Sequence, residues 1–485
     1  MPYEAVIGLE AHIEMQTQSK MFCACPVVDS VSAPPNSAVC PICAGHPGTL
    51  PVLNEKAVEY ALRVALALEC TVNPTSIFAR KNYFYPDIPK GFQISQYEQP
   101  LAEYGRIVLQ TSQGQKIIRI RRVHLEEDTG KLTHVESAGA APACSLVDLN
   151  RAGVPLLEIV TEPDFRSAEE VRVYGLALRA LVRALGVNSG DMEKGVMRIE
   201  PNISIRPLGQ SELGTKVEIK NLNSFRALER GVAYEIKRHE QVLTSGGAIA
   251  QETVGWDEAA QATYSQRSKE DAHDYRYFPE PDLPALRVSA EWIARVRAAL
   301  PELPIARATR YQRDFGLSLA ESTFLAQEAA LGGYFERVTA AGPIAARSAF
   351  AWVTGELLGL VNASGTGFDS IKVDPQDLAA LLKMVAEREI NQATAKTVLA
   401  GMFASGRKAP EIVAANGLAQ VSDGDLIARL VAETLAENPG EVASYRAGKL
   451  SVANFLFGQV MRKAGGQANP QVVRTVLEKQ LGASV

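Results

Sequence analysis

The chain has no apolar run near the roughly 18 residues that a membrane span needs, and its start lacks a basic stretch leading into an apolar one. Those two absences point to a cytoplasmic protein with no membrane partner. It also lacks a Gly-x-x-x-x-Gly-Lys-Ser/Thr loop, because Thr129-Gly130-Lys131-Leu132 is without both the leading glycine and the terminal hydroxyl. Any nucleoside triphosphate would have to be held by a metal and lysines instead. Positive charge is short as well: the net charge of −5 argues against a surface built to grip nucleic acid everywhere. The deficit is uneven. From Glu441 to the end, six basic residues face two acidic ones, a local +4, so a nucleic acid would be held at patches.

Cysteine is scarce too, with six residues in 485, yet four of them are clustered. Cys23-x-Cys25 and Cys40-x-x-Cys43 are separated by 14 residues, a spacing that suits a closed, structural zinc site in a reducing compartment. Disulfides or free thiols are the alternatives. Cys70 and Cys144 read as small buried residues.

A chain of 485 residues with 46% hydrophobic content is long enough for two or three domains with sizeable cores. Near its start, Gly8-Leu9-Glu10-Ala11-His12-Ile13-Glu14 follows the apolar Ala5-Val6-Ile7. On a strand, Glu10, His12 and Glu14 share one face while Leu9, Ala11 and Ile13 share the other. Two carboxylates and an imidazole together suit a hard divalent cation; a solvated face with a chance histidine is the plainer alternative. A second cluster, His124-Leu125-Glu126-Glu127-Asp128, is entered through the strand Lys116 to Val123.

Asn54 and Ser167 are placed to cap helices, the second reaching about Leu185 with Glu169 and Glu170 in its first turn. A third helix of about 15 residues starts at Ser224. Arg80 to Gln96 mixes aromatics, prolines, Lys81 and Lys90 without helical or strand period. It is either an aromatic loop on the core or a substrate loop whose lysines meet phosphates while its rings stack a base. Arg198, Glu200, Asn202, Ser204 and Arg206 alternate along a strand, as a solvated edge or a polar floor would, and Lys216 to Asn221 repeats the pattern. From about Ala290 the chain turns to alanine- and leucine-rich helical periods, broken near Gly342-Pro343, Asn362 to Gly367 and Gly401 to Pro410.

Several stretches, in order along nearly the whole chain, resemble the GatB family of the tRNA-dependent amidotransferases, enzymes that convert misacylated Glu-tRNA(Gln) or Asp-tRNA(Asn) to the amide. They are Gly8 to His12, the cysteine loop through Asn54, Tyr83-Phe84-Tyr85-Pro86-Asp87, His124 to Asp128, and Asn150 to Ile159. Lys216 to Phe225, Asp274 to Leu283, Asn454 to Met461 and Ala468-Asn469-Pro470 complete the set. The resemblance implies an α+β fold: a cradle over 1–290 on an antiparallel or mixed sheet with flanking helices, an all-α domain over 291–408, and a small all-α tail over 409–485. It implies a magnesium site around Glu10, His12 and Glu127, with Glu126 in the same catalytic group. Glu200 stands where many relatives are expected to carry an aspartate, and the extra methylene leaves its place among the ligands open. The tail is expected to hold tRNA, with Arg446, Lys449, Arg462 and Lys463 as candidates. Lys81 and Lys90 are candidates for phosphate contacts with ATP.

The chemistry can be argued beside the resemblance. A carboxylate does not react with ammonia in water because its oxygen is a poor leaving group, so phosphorylation from ATP must come first. No glycine- and serine-rich nucleophile segment with an activating lysine is present, and neither Cys70 nor Cys144 has a recognisable histidine partner. Ammonia must then come from another polypeptide. The resemblance names an amidase-like glutaminase, GatA, clasped by a small third protein, GatC, in a heterotrimer, with a nondiscriminating aminoacyl-tRNA synthetase as a further partner. Two other readings compete: a noncatalytic zinc-containing RNA-binding scaffold, and a free-standing ATP-dependent carboxylate-amine ligase.

Overall fold

The computed structural model describes residues 3–29, 31–135, 144–268, 274–418, 424–465 and 468–482. Two compact units divide it, Met1–Arg307 and Ala308–Val485.

The first unit is built on a sheet of nine strands. From one edge to the other, they are Ala262–Ser268, Glu252–Asp257, Val217–Lys220, Met197–Pro207, Tyr3–Glu14, Pro155–Thr161, Gly114–Glu127, Ala102–Thr111 and Thr71–Val72. Only Val217–Lys220 and Glu252–Asp257 pair in parallel, so the sheet is mixed. Strand alternation sorts its side chains: Ile7, Leu9, Ala11 and Ile13 are buried, as are Leu157, Ile159, Ile199 and Ile203 of the neighbouring strands. These residues meet the helices Glu55–Ala67, Ala168–Ala184 and Phe225–Thr244 in one core. Each of the leucines and isoleucines contributes about 1.5–3 kcal/mol on burial.

Asn54 caps the first of these helices by accepting from the Lys56 and Ala57 amides, and Ser167 and Ser224 cap the other two. The third helix runs for 20 residues, longer than its sequence suggests. It buries Glu235 and His239, which stand 3.2 Å apart. Burial raises the Glu235 carboxyl, but the facing His239 ring and hydrogen bonds from Arg238 and Thr263 outweigh it and hold it down to about 2. An unfolded chain takes up this proton near pH 4.3, so the stabilisation is complete above that value and lost as pH falls toward 2. In urea unfolding, wild type should exceed Glu235→Gln by about 3 kcal/mol at pH 6, and the gap should close between pH 4.5 and 2.5. A gap indifferent to pH overturns the assignment.

Arg80 to Gln96 carries more regular structure than its sequence shows. Phe78–Asn82 pairs with Phe92–Gln96 on one side and Phe278–Pro279 on the other, forming a small three-stranded sheet. The expected alternation is missing because Gln93, Ile94, Ser95 and Gln96 are all buried, on both faces of the strand. Met197–Pro207 is an interior strand, which excludes a solvated edge for its polar row. Cys70 is buried as expected, whereas Cys144 opens the exposed strand Cys144–Asp148.

Among its described residues the second unit is helical, from the later turns of Pro304–Phe315 to Pro470–Gly482, with two separate cores. One gathers Tyr311, Phe335, Leu357, Leu382 and Met402; the other gathers Ile427, Val431, Leu456, Val460 and Leu477. Gly365 and Gly406 end their helices at φ of +67° and +74°, where a Cβ would be strained.

Candidate functional site

The polar face of the nine-stranded sheet carries the chemistry. Its register places His12 opposite Glu158, and Glu158 opposite His124, in one cross-strand row. Glu10 lies opposite Glu200 in the next row, with Asn202 and Glu218 paired beyond it. A β-bulge brings His124 and Glu126 to this face. Ile118 and Ile120 point into the core, then Arg121 is inserted between the pairs Thr161–Ile120 and Val160–Arg122, and from there Val123 and Leu125 take the core positions. Arg122, His124 and Glu126 consequently share the outer face.

Two groups of ligating atoms result, each with its members within 4.8 Å of one another. The first is Glu10, Glu200 and Glu218; the second is His12, Glu126 and Glu158. Glu127 joins neither, against the expectation that it shares the metal with Glu10 and His12. It pairs with Lys90 and accepts the Ile94 amide at 3.0 Å, because adjacent residues on a strand face opposite ways. Glu158 and Glu218 are the members that sequence reasoning does not single out. Glu158 sits in the apolar run Leu156-Leu157-Glu158-Ile159-Val160, where a lone acid is its only signal.

The two groups differ in charge balance. Burial works against the Glu126 carboxylate, yet Lys81, His124 and His12 hold it well below its usual value; His124 does the same for Glu158. His124 sits 2.9 Å from Glu158 and 3.1 Å from Glu126, and it is driven up to about 9 although burial opposes its charge. Lys81 is held above its ordinary value, against burial, chiefly by Glu126. The acids of this group are thus neutralised from within the chain. Glu10 is less so: burial raises its carboxyl and Glu158 raises it further, His12 opposes them, and Glu218 and Glu200 add to the rise, so the net shift is upward. Asn202 donates to Glu10 at 3.2 Å, and Lys220 reaches Glu200 at 3.2 Å and Glu218 at 3.4 Å. Three carboxylates beside a single paired ammonium form an all-oxygen donor set that suits magnesium, whose charge would relieve their repulsion.

The four cysteines also come together. Cys43 Sγ lies 4.0 Å from Cys25 Sγ and 3.9 Å from Cys40 Sγ, and all four sulfurs fall within 4.8 Å. Sulfurs about 2.3 Å from a tetrahedral zinc lie roughly 3.8 Å apart, so the donors fit that ion. Lys20, fully buried, donates to Cys43 Sγ at 3.6 Å and to the Leu149 carbonyl at 3.1 Å, placing a positive charge beside the thiolates. In the tail, Arg446, Lys449 and Arg462 are exposed, while Lys463 is engaged by Glu437 at 2.6 Å.

Comparison with known proteins gives the family. The family profile described as "GatB/GatE catalytic domain" matches residues 5–294, and one described as "GatB domain" matches 333–481. An aspartyl/glutamyl-tRNA(Asn/Gln) amidotransferase subunit from Myxococcus xanthus is 48% identical over 481 residues, covering 99% of each chain. The protein of the same name from Moorella thermoacetica is 48% identical across 99% of this chain and 100% of its own, and that of Herpetosiphon aurantiacus 48% across 100% of both. The chain belongs to the GatB family of aspartyl/glutamyl-tRNA(Asn/Gln) amidotransferase subunits.

Proposed function

We propose that this chain activates and amidates the side-chain carboxylate of Glu-tRNA(Gln), Asp-tRNA(Asn) or both, within a heterotrimer in which a GatA glutaminase, clasped by a small GatC protein, supplies ammonia. The γ-phosphoryl group of ATP passes to a side-chain carboxylate oxygen, leaving ADP and an acyl phosphate. Ammonia then attacks the acyl carbon, the carbon–oxygen bond to phosphate breaks, and the nitrogen gives up a proton.

The observation that carries this reading is the crowding of Glu10, Glu200 and Glu218, where burial, the neighbouring Glu158 and the group's own carboxylates raise Glu10. Charge building on the transferring phosphate oxygens is what magnesium neutralises when bound there. Beside it, Lys81 is the ammonium best placed for a phosphate, next to Glu126 and Glu158. Lys90, held by Glu127, positions that loop. The cysteine cluster has no open position and is read as structural zinc. Residues 1–290 form the catalytic cradle and 291–408 a helical domain; the 409–485 tail grips tRNA through Arg446, Lys449 and Arg462, with Lys463 freed from Glu437 on contact.

The test is amide formation on misacylated tRNA by the assembled complex, with ATP and either glutamine or free ammonium, for wild type and Glu10→Gln. The expected result is product with both nitrogen donors in wild type, reduced at least about a hundredfold with both in the variant. Undiminished variant turnover would leave this chain a tRNA-holding scaffold.

A further inference from the structure

Arg122 is set apart from the arginines around it. Arg198 and Arg151 both face Asp128, at 3.0 and 3.8 Å; Arg119 holds Asp164 at 2.6 Å, and Arg80 holds Glu280 at 2.8 Å. Arg122 has no ion pair or hydrogen bond among the described residues, and its Nε is buried without a partner. Its cross-strand neighbour Glu103 is turned away, accepting from Asn73 at 3.2 Å. A partly buried guanidinium left bare carries a desolvation cost that an oxyanion would offset.

The bulge at Arg121 aims Arg122 onto the polar face, opposite Val160, which is itself opposite Glu10. Two strand spacings, roughly 10 Å, therefore separate Arg122 from the Glu10 group. Beside Arg122 is an aromatic pair. Its guanidinium carbon lies 5.9 Å from the Tyr97 ring, and Tyr97 stacks on Tyr277 with centroids 4.3 Å apart at 7°. Tyr97 is 46% exposed. Both tyrosines line a cavity of about 440 Å³ with Phe278, Pro279, Arg276 and Asp274, large enough for a base and its sugar. Tyr97 directly follows one strand of the small sheet and Tyr277 directly precedes another, and the strand between those two carries Lys81.

We propose that Arg122 and the Tyr97–Tyr277 pair form a nucleotide subsite, in which the guanidinium takes a phosphate oxygen and the tyrosines offer a stacking face to the base. Two nucleotides belong to the reaction read above, on which this inference rests: ATP and the unpaired 3′ end of the tRNA. The subsite has the chemistry for either, and binding measurements tell them apart.

The experiment uses the assembled complex and follows a nonhydrolysable ATP analogue with magnesium by calorimetry, and uncharged tRNA by filter binding. Wild type is compared with Arg122→Met and with Tyr97→Ala, whose exposed position makes it safe for folding. The expected result is that both variants weaken the same ligand by about fivefold or more and leave the other within twofold. Weakening of the analogue assigns the subsite to ATP, and weakening of tRNA assigns it to the acceptor end. Binding of both ligands within twofold of wild type in both variants overturns the subsite alone, as does an effect on different ligands in the two variants. A wild-type complex that binds neither ligand removes the underlying reading, and the subsite with it.

Discussion

Glu126→Gln should lower the rate of amide formation by about a thousandfold, equivalent to about 4 kcal/mol of transition-state stabilisation. Glu126 is the most heavily held carboxylate of the polar face. Gln93 Nε2 donates to it at 3.0 Å, Ser95 Oγ at 2.5 Å, and His124 faces it at 3.1 Å. Its charge also favours the protonated form of Lys81 and, after Glu158, that of His124. A glutamine keeps the shape and removes that charge, so the ammonium of Lys81 and the imidazolium of His124 lose their main or shared counterion in a buried setting. His124 should then titrate below the value of about 9 that it has beside both acids, because burial already opposes its charge. Steady-state kinetics with glutamine and with ammonium, together with an NMR titration of His124, check both halves of the prediction. A variant within tenfold of wild-type turnover with both donors moves the reaction away from this group.

The acidic strand faces are legible in the sequence because alternation needs no knowledge of pairing: Glu10, His12, Arg198, Glu200 and Asn202 fall on their faces directly. Alternation does not show which faces meet. His12 and Glu158 are neighbours only through an antiparallel register between strands far apart in the chain, and Glu158 is camouflaged by apolar residues on both sides. The Arg121-Arg122 doublet hides the bulge, since strict alternation and a one-residue insertion predict the same residue types there but opposite faces for His124 and Glu126. Glu127 shows the converse error. The resemblance groups it with Glu10, His12 and Glu126, whereas a strand sends adjacent side chains apart, and the geometry turns it to Lys90. The helices of the core are the easiest to place, because Asn54, Ser167 and Ser224 mark their starts with local hydrogen bonds that depend on nothing distant.

On the reading of the cysteine cluster as a structural zinc site, Cys40→Ser should leave the complex without that metal and lower its melting temperature by roughly 5 °C or more, the loss expected when a structural ion contributes several kcal/mol to folding. The loop that holds these cysteines has no apolar core of its own and is otherwise tied down by hydrogen bonds of Pro34, Asn36 and Ala38 to the segment Val147 to Asn150. Cys23, Cys25 and Cys40 are only half-buried, and most of the chain between the pairs is exposed. Lys20 makes the site one-sided in charge: a fully buried ammonium with a sulfur and a carbonyl as its partners is best balanced when the sulfurs carry negative charge. The loop also reaches the site. Gly45 follows Cys43 by two residues at φ +70°, so close to the segment around Pro89 and Lys90 that a Cβ there would lie 2.8 Å from the Lys90 backbone nitrogen. Loosening the cysteines therefore loosens the backbone that presents Lys90 to Glu127, and some activity should fall with stability. Metal content of the purified variant and its thermal melt measure the effect directly. A Cys40→Ser complex that carries no metal yet melts with wild type would make the cluster dispensable to the fold, leaving Lys20 as a buried charge without a counterion.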